Sequence, residues 1–191
     1  PETDWWGTIG TWALDPAKWP GDSFRQSTDF ARAHGMRTLM WFEPERVTDP
    51  GALAERCGYD RRWAIEREGW ANVPNNIGDP ECLKWTTERV CRVLRENRVE
   101  MYREDNNSDP AALWQYLDER EGEDRRGITE CKFVMGHYQM WDDIIACTLG
   151  HGGCGFVDSC ASGGGRNDLE SMRRGVPLLR SDNDRTSAAL R

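Results

Sequence analysis

Four short apolar runs punctuate the chain, MRTLMWF at 36–42, VEMY at 99–102, GFVDS at 155–159 and PLLR at 177–180, and helix-patterned stretches lie between them. Strands alternating with helices predict an α/β fold with a parallel sheet and right-handed crossovers. Each run is followed at once by polar or glycine-rich residues: EPE, REDNN, CASGGGR and SDND. Loading every strand end in this way favours a (β/α)8 barrel, whose active site is built at the C-terminal ends of its strands. A doubly wound open sheet is the alternative, and it concentrates its ligand loops at one switch point.

The intervening helices carry their own signals. Phe24, Phe30 and Ala31 recur at helical spacing over 22–34, where His34 is read as a C-terminal residue and Gly35 as the stop. Three Asp-Pro pairs, at 49–50, 79–80 and 109–110, each combine a capping Asp with a Pro suited to the first helical position. The second opens a helix to about Asn97 with Leu83, Thr87, Val90 and Leu94 along one face. A longer helix is expected within 127–150, with Val134, Tyr138, Trp141 and Ile145 inward, and a short one over 168–174 closed by Gly175. The stretch EREGEDRR at 119–126 reads as a solvated loop.

Composition narrows the function. A net charge of −8 without a basic cluster argues against nucleic acid as a partner. No apolar run approaches the ~18–20 residues that span a bilayer, so no membrane partner is expected. Seven Cys follow no regular framework, and Cys82, Cys91 and Cys147 fall in helical patterns, which suits free thiols in a reducing, cytoplasmic setting. His34, His137 and His151 are scattered, Cys154 and Cys160 are not a C-x-x-C pair, and no metal site is expected. No Ser lies in a G-x-S-x-G context, which leaves a Ser/His/Asp triad without a nucleophile elbow. Ten Trp residues serve equally well as core or as flat floors for sugar rings.

Four constellations could carry chemistry. In the first, Trp41 with Glu43 and Glu45 could stack on a sugar and bond its hydroxyls, or Glu-Pro-Glu could simply start a helix. In the second, Asp105 follows Arg103 at a strand end, where a cation favours the ionised carboxylate a nucleophile needs; an ordinary ion pair reads the same way. In the third, the CASGGGR loop lacks the spacing of a phosphate-binding loop and fits a tight turn lining a sugar pocket. The fourth is Asp182, again at a strand end. If it lies near Asp105, mutual repulsion keeps one carboxyl protonated as general acid, the arrangement of a retaining glycosidase with carboxyls ~5–5.5 Å apart.

Together these motifs resemble the α-galactosidases of glycoside hydrolase family 36 over nearly the whole chain. The matching pieces are Trp12, Trp19-Pro20, Gly35-Met36, WFEPERV at 41–47, YREDNN at 102–107 and DSCASGGGRNDLESMRRGVPLLRSD at 158–182. The resemblance implies that Asp105 is the nucleophile and Asp182 the acid/base. It places substrate contacts at Trp41, Arg103, Asn107, Cys160, Gly163 and Gly164, on an α-galactoside oligosaccharide, with no cofactor. It also implies that residues 1–191 are a fragment of one catalytic domain, a partial barrel of strands three to six. On that basis the fragment alone is expected to be unstable or inactive. The family's second-strand Asp-rich motif is expected upstream of Pro1, the stretch at 2–6 being at most a degraded version. A homo-oligomeric parent is compatible with the sequence.

One departure stands out: the family's Lys-Trp-Asp is Arg103-Glu104-Asp105 here. Arg keeps the charge but changes the geometry, and Glu104 is expected to add a carboxylate beside the nucleophile. Alternatives are a relative acting on another α-linked sugar such as N-acetylgalactosamine, a transgalactosylase, and a non-catalytic galactoside-binding barrel.

Overall fold

The computed structural model describes residues 5–21, 23–68, 70, 73–161 and 166–178. In chain order, α1 (Arg25–Ala33) leads to β1 (Leu39–Phe42), β2 (Arg46–Val47), α2 (Pro50–Cys57) and β3 (Val73–Pro74). Then follow α3 (Pro80–Glu96), β4 (Met101–Asn106), α4 (Ala111–Glu121), α5 (Ile128–Leu149), β5 (Val157–Ala161), α6 (Leu169–Arg174) and β6 (Gly175–Val176).

Helix starts follow the predicted capping chemistry. Asp49 accepts from the Ala52 amide, and Asp79 from those of Glu81 and Cys82, each with Pro in the first turn. The third Asp-Pro pair departs from this: Pro110 is itself the N-cap of α4, with no side-chain cap bond, and Asp109 one position earlier accepts from the Ala111 amide. Asp168 and Ser171 close a reciprocal capping box at α6. His34 caps the C-terminus of α1 as expected.

The main sheet is parallel with strand order β1-β4-β5-β6. Neighbours follow chain order without a reversal, and α3 and α5 pack on one and the same face. There Phe42, Tyr102 and Val157 meet Val90, Val93 and Leu94 of α3 and Met140, Trp141 and Ile144 of α5. Chain-ordered parallel strands with helices on one side form an arc of a (β/α)8 barrel; a doubly wound sheet reverses its order and carries helices on both faces. The opposite face, where Leu39 and Val176 are 42% and 43% exposed, is the one that a closed barrel turns inward.

Several boundaries differ from expectation. β4 continues through Arg103, Glu104 and Asp105 to Asn106. β6 pairs at Gly175–Val176, ahead of the PLLR run, whose last two residues lie outside the described set. β1 is not buried throughout: Phe42 is buried, Met40 and Trp41 are half-buried and Leu39 is exposed. The stretch 119–126 is exposed as expected, but α4 runs through Glu121 and a 3-10 turn follows at Glu123–Arg125. The antiparallel β2–β3 pair, closed across α2, was not anticipated: two-residue strands leave no alternation to read. It helps to organise a second core of Val47, Leu53, Tyr59, Trp63, Ile77, Leu113 and Phe133.

Candidate active site

Strand alternation decides which side chains share a face. The register pairs Trp41 with Arg103, Arg103 with Asp158, and Asp105 with Cys160. These five therefore lie on the face opposite Phe42, Tyr102 and Val157, at the C-terminal end of the sheet. Trp41 is braced edge-on by Trp12 at 6.4 Å between ring centroids, and Trp12 also meets Phe42 at 5.2 Å. Asp105 and Arg103 are half-buried and Cys160 is buried.

The structure thus brings together Trp41, Arg103, Asp105 and Cys160 from the sequence-derived set. Asn107 lies just past β4, exposed, with its amide donating to Glu43 Oε1 at 2.9 Å. Gly163, Gly164 and Asp182 lie outside the described residues.

Arg103 is held by an unanticipated neighbour. Its Nη1 donates to Asp158 Oδ2 across the β4–β5 ladder. Burial works against the guanidinium charge, but the bond and charge of Asp158, with Asp105 nearby, more than restore it, and the pKa rises above the ordinary arginine value.

The two glutamates of WFEPE do something other than expected. Glu43 is fully buried and receives both Arg46 Nε at 2.7 Å and Arg46 Nη2 at 2.9 Å. Glu45 is buried too and takes Arg166 Nη1 on both oxygens at 2.7 Å. Arg166 Nη2 also donates to the Ser108 carbonyl. The arginine that ends the CASGGGR loop therefore ties together the loops after β1, β4 and β5. Neither carboxylate is placed for sugar hydroxyls or for starting a helix, since β2 comes next.

Glu104 also departs from expectation. Alternation turns it to the helix side of the sheet, away from Asp105. There it is buried and accepts from Tyr102 Oη, Trp141 Nε1 and Asn106 Nδ2, each at 2.7 Å. His137 Nε2 lies 3.0 Å from it, and His137 Nδ1 lies 3.5 Å from Glu45. Burial disfavours the His137 cation, yet the two glutamates overcome this and raise its pKa to about 10. Burial likewise pushes Glu104 up, and His137, Trp141 and Tyr102 outweigh it, leaving its pKa below the ordinary glutamate value. No linear motif announces His137, because its partners come from distant strands.

Among the described residues the seven cysteines form no disulfide, with Cys82, Cys91 and Cys160 buried and Cys147 half-buried. Among the described residues no cluster of three or more His, Cys, Asp or Glu could hold a metal ion. Among them, too, no helix is long and apolar enough to cross a membrane.

The Melibiase family model matches residues 3–189. The chain belongs to the melibiase family. An α-galactosidase of Escherichia coli is 24% identical over 182 residues, covering 92% of this chain and 23% of the relative. The α-galactosidase of Lactobacillus brevis superposes with a TM-score of 0.68 at 20% identity, over 92% of this chain and 23% of that one. A family 36 α-galactosidase of Geobacillus stearothermophilus gives 0.67 at 20% identity, over 94% and 24%. This melibiase-family chain thus spans about a quarter of the length of these relatives. Across that span the likeness to solved structures is one of fold, in line with the arc of parallel strands.

Proposed function

We propose that this chain carries the central part of the active site of a retaining α-galactosidase, as strands three to six of a single (β/α)8 catalytic domain. The observation that carries the reading is the register that sets Trp41, Arg103, Asp105 and Cys160 on one strand-end face. Family membership supports it. So do solved structures of Geobacillus stearothermophilus α-galactosidase variants in complex with raffinose and with stachyose. The proposed substrate is accordingly a terminal α-galactoside of an oligosaccharide.

In this reading the Asp105 carboxylate attacks the anomeric carbon while Asp182 donates its proton to the departing glycosidic oxygen. The C–O bond to the leaving group breaks and a galactosyl ester of Asp105 forms. Asp182 then removes a proton from water, water attacks the same carbon, and the ester bond to Asp105 breaks with net retention. Trp41 offers an aromatic face to the sugar, and Arg103, Asn107, Cys160, Gly163 and Gly164 line its hydroxyls. Glu104 takes no part in binding, because it lies behind the sheet.

Replacing Asp105 by Ala in the full-length protein is expected to abolish turnover of an aryl α-galactoside. Added azide should restore part of it by entering the vacated space and yielding the β-galactosyl azide. Unchanged activity in that variant would overturn the assignment.

A further inference from the structure

The roles above leave Asp158 unassigned, although it is 1% exposed on the same strand-end face. A buried carboxylate is costly unless its charge and lone pairs are met, and each oxygen here has its own partner. Oδ2 accepts from Arg103 Nη1, on the strand that carries Asp105. Oδ1 accepts from the backbone N–H of Leu178 at 2.9 Å. Pro177 brings no N–H of its own, so the first amide after it is held by this side chain.

We propose that Asp158 is the positioning residue of this site: one buried carboxylate that fixes the sugar-binding Arg103 and anchors the chain leading, four residues on, to Asp182. This inference rests on the α-galactosidase reading. A guanidinium has five N–H donors. Pinning it at Nη1 leaves the others oriented for hydroxyls at no entropic cost when substrate arrives. Asp158 touches no reacting atom and acts through Arg103 and the Leu178 backbone.

The test is steady-state kinetics of the full-length protein on an aryl α-galactoside. Asp158→Asn keeps an acceptor for Leu178 but loses the charge that holds Arg103. It is expected to raise KM about tenfold, the scale of one hydrogen bond to a charged group, with kcat changed less than about threefold. Asp158→Glu keeps the charge and is expected to recover most of that loss. In an Arg103→Ala background Asp158→Asn should cost less than about twofold more, since a residue acting through Arg103 has nothing left to act on. Wild-type kinetics in Asp158→Asn would overturn the proposal, and so would losses that multiply in the double variant. Should Asp158→Asn fail to fold, Asp158→Glu decides: a few-fold rise in KM with an unchanged melting temperature supports the role, and a lowered melting temperature with unchanged KM overturns it. Turnover surviving Asp105→Ala would instead remove the underlying reading, so the two failures are told apart.

Discussion

At the scale of single residues, Glu104 and Asp105 are adjacent in sequence and face opposite sides of the sheet. The carboxylate that looks like an addition to the active site is the centre of a buried network joining β4 to α5. Its linkage to pH can be stated with sign. His137 has a folded pKa near 10 against an ordinary 6.5, so its contribution to stability is complete below about pH 6.5 and lost as pH rises toward 10. Glu104 is depressed below the ordinary 4.5, so its contribution is present above that value and lost as pH falls through the folded pKa. The urea midpoint of the full-length protein should therefore decline from pH 6.5 to 10, and His137→Gln should flatten that decline. Identical slopes in the two proteins would contradict the network. The residues Trp41, Arg103, Asp105 and Cys160 were legible because motif order carries them. Asp158 and Arg166 were legible only as members of a motif, since their partners are set by the register and by loops that fold back. Glu43 and Glu45 were misread because a carboxylate at a strand end looks the same whether it meets sugar or arginine.

At the scale of elements, capping chemistry was the most readable signal, because Asp and Pro act on amides one to three residues away. Asp79→Ala should cost about 1 kcal/mol in an equilibrium unfolding experiment, the usual worth of an N-cap. Strand ends were less readable. β4 outruns its apolar stretch by four residues because polar side chains on its far face are paired behind the sheet, which periodicity cannot announce. In α5 the buried set is Thr129, Phe133, Gly136, Met140, Trp141, Ile144 and Thr148, so that of the face read through Val134, Tyr138, Trp141 and Ile145 only Trp141 belongs to it and the buried face is shifted. The shift makes room for His137 to reach Glu104. It also sets Gly136 against the β3–α3 loop, where an added Cβ would lie 2.3 Å from the Ile77 carbonyl oxygen. Gly136→Ala should therefore destabilise by about 2 kcal/mol, the clash outweighing a gain of about 1 kcal/mol in helix propensity. A stabilised variant would show that α5 can slide away from the loop.

At the scale of the whole molecule, the arc of four strands leaves one face with exposed Leu39, Val176 and Leu178. The relatives are about four times as long, and in a closed barrel such side chains fill the interior. Residues 1–191 expressed alone should accordingly show a broad, weakly cooperative unfolding curve and association in light scattering. A sharp two-state transition from a monomer would contradict this. The parallel barrel arc was legible from the alternation of runs and loaded ends, whereas the β2–β3 pair and its core were not, being fixed by contacts among aromatic residues far apart in the chain. The account stands on Asp105 forming a bond to sugar. The most direct measurement is to treat the full-length protein with an activated fluorinated galactoside that forms the glycosyl ester and loses it slowly, then to map the modified peptide by mass spectrometry. A galactosyl adduct on Asp105 is the predicted result. An adduct on another carboxylate, or none in a protein that turns over substrate, would contradict it.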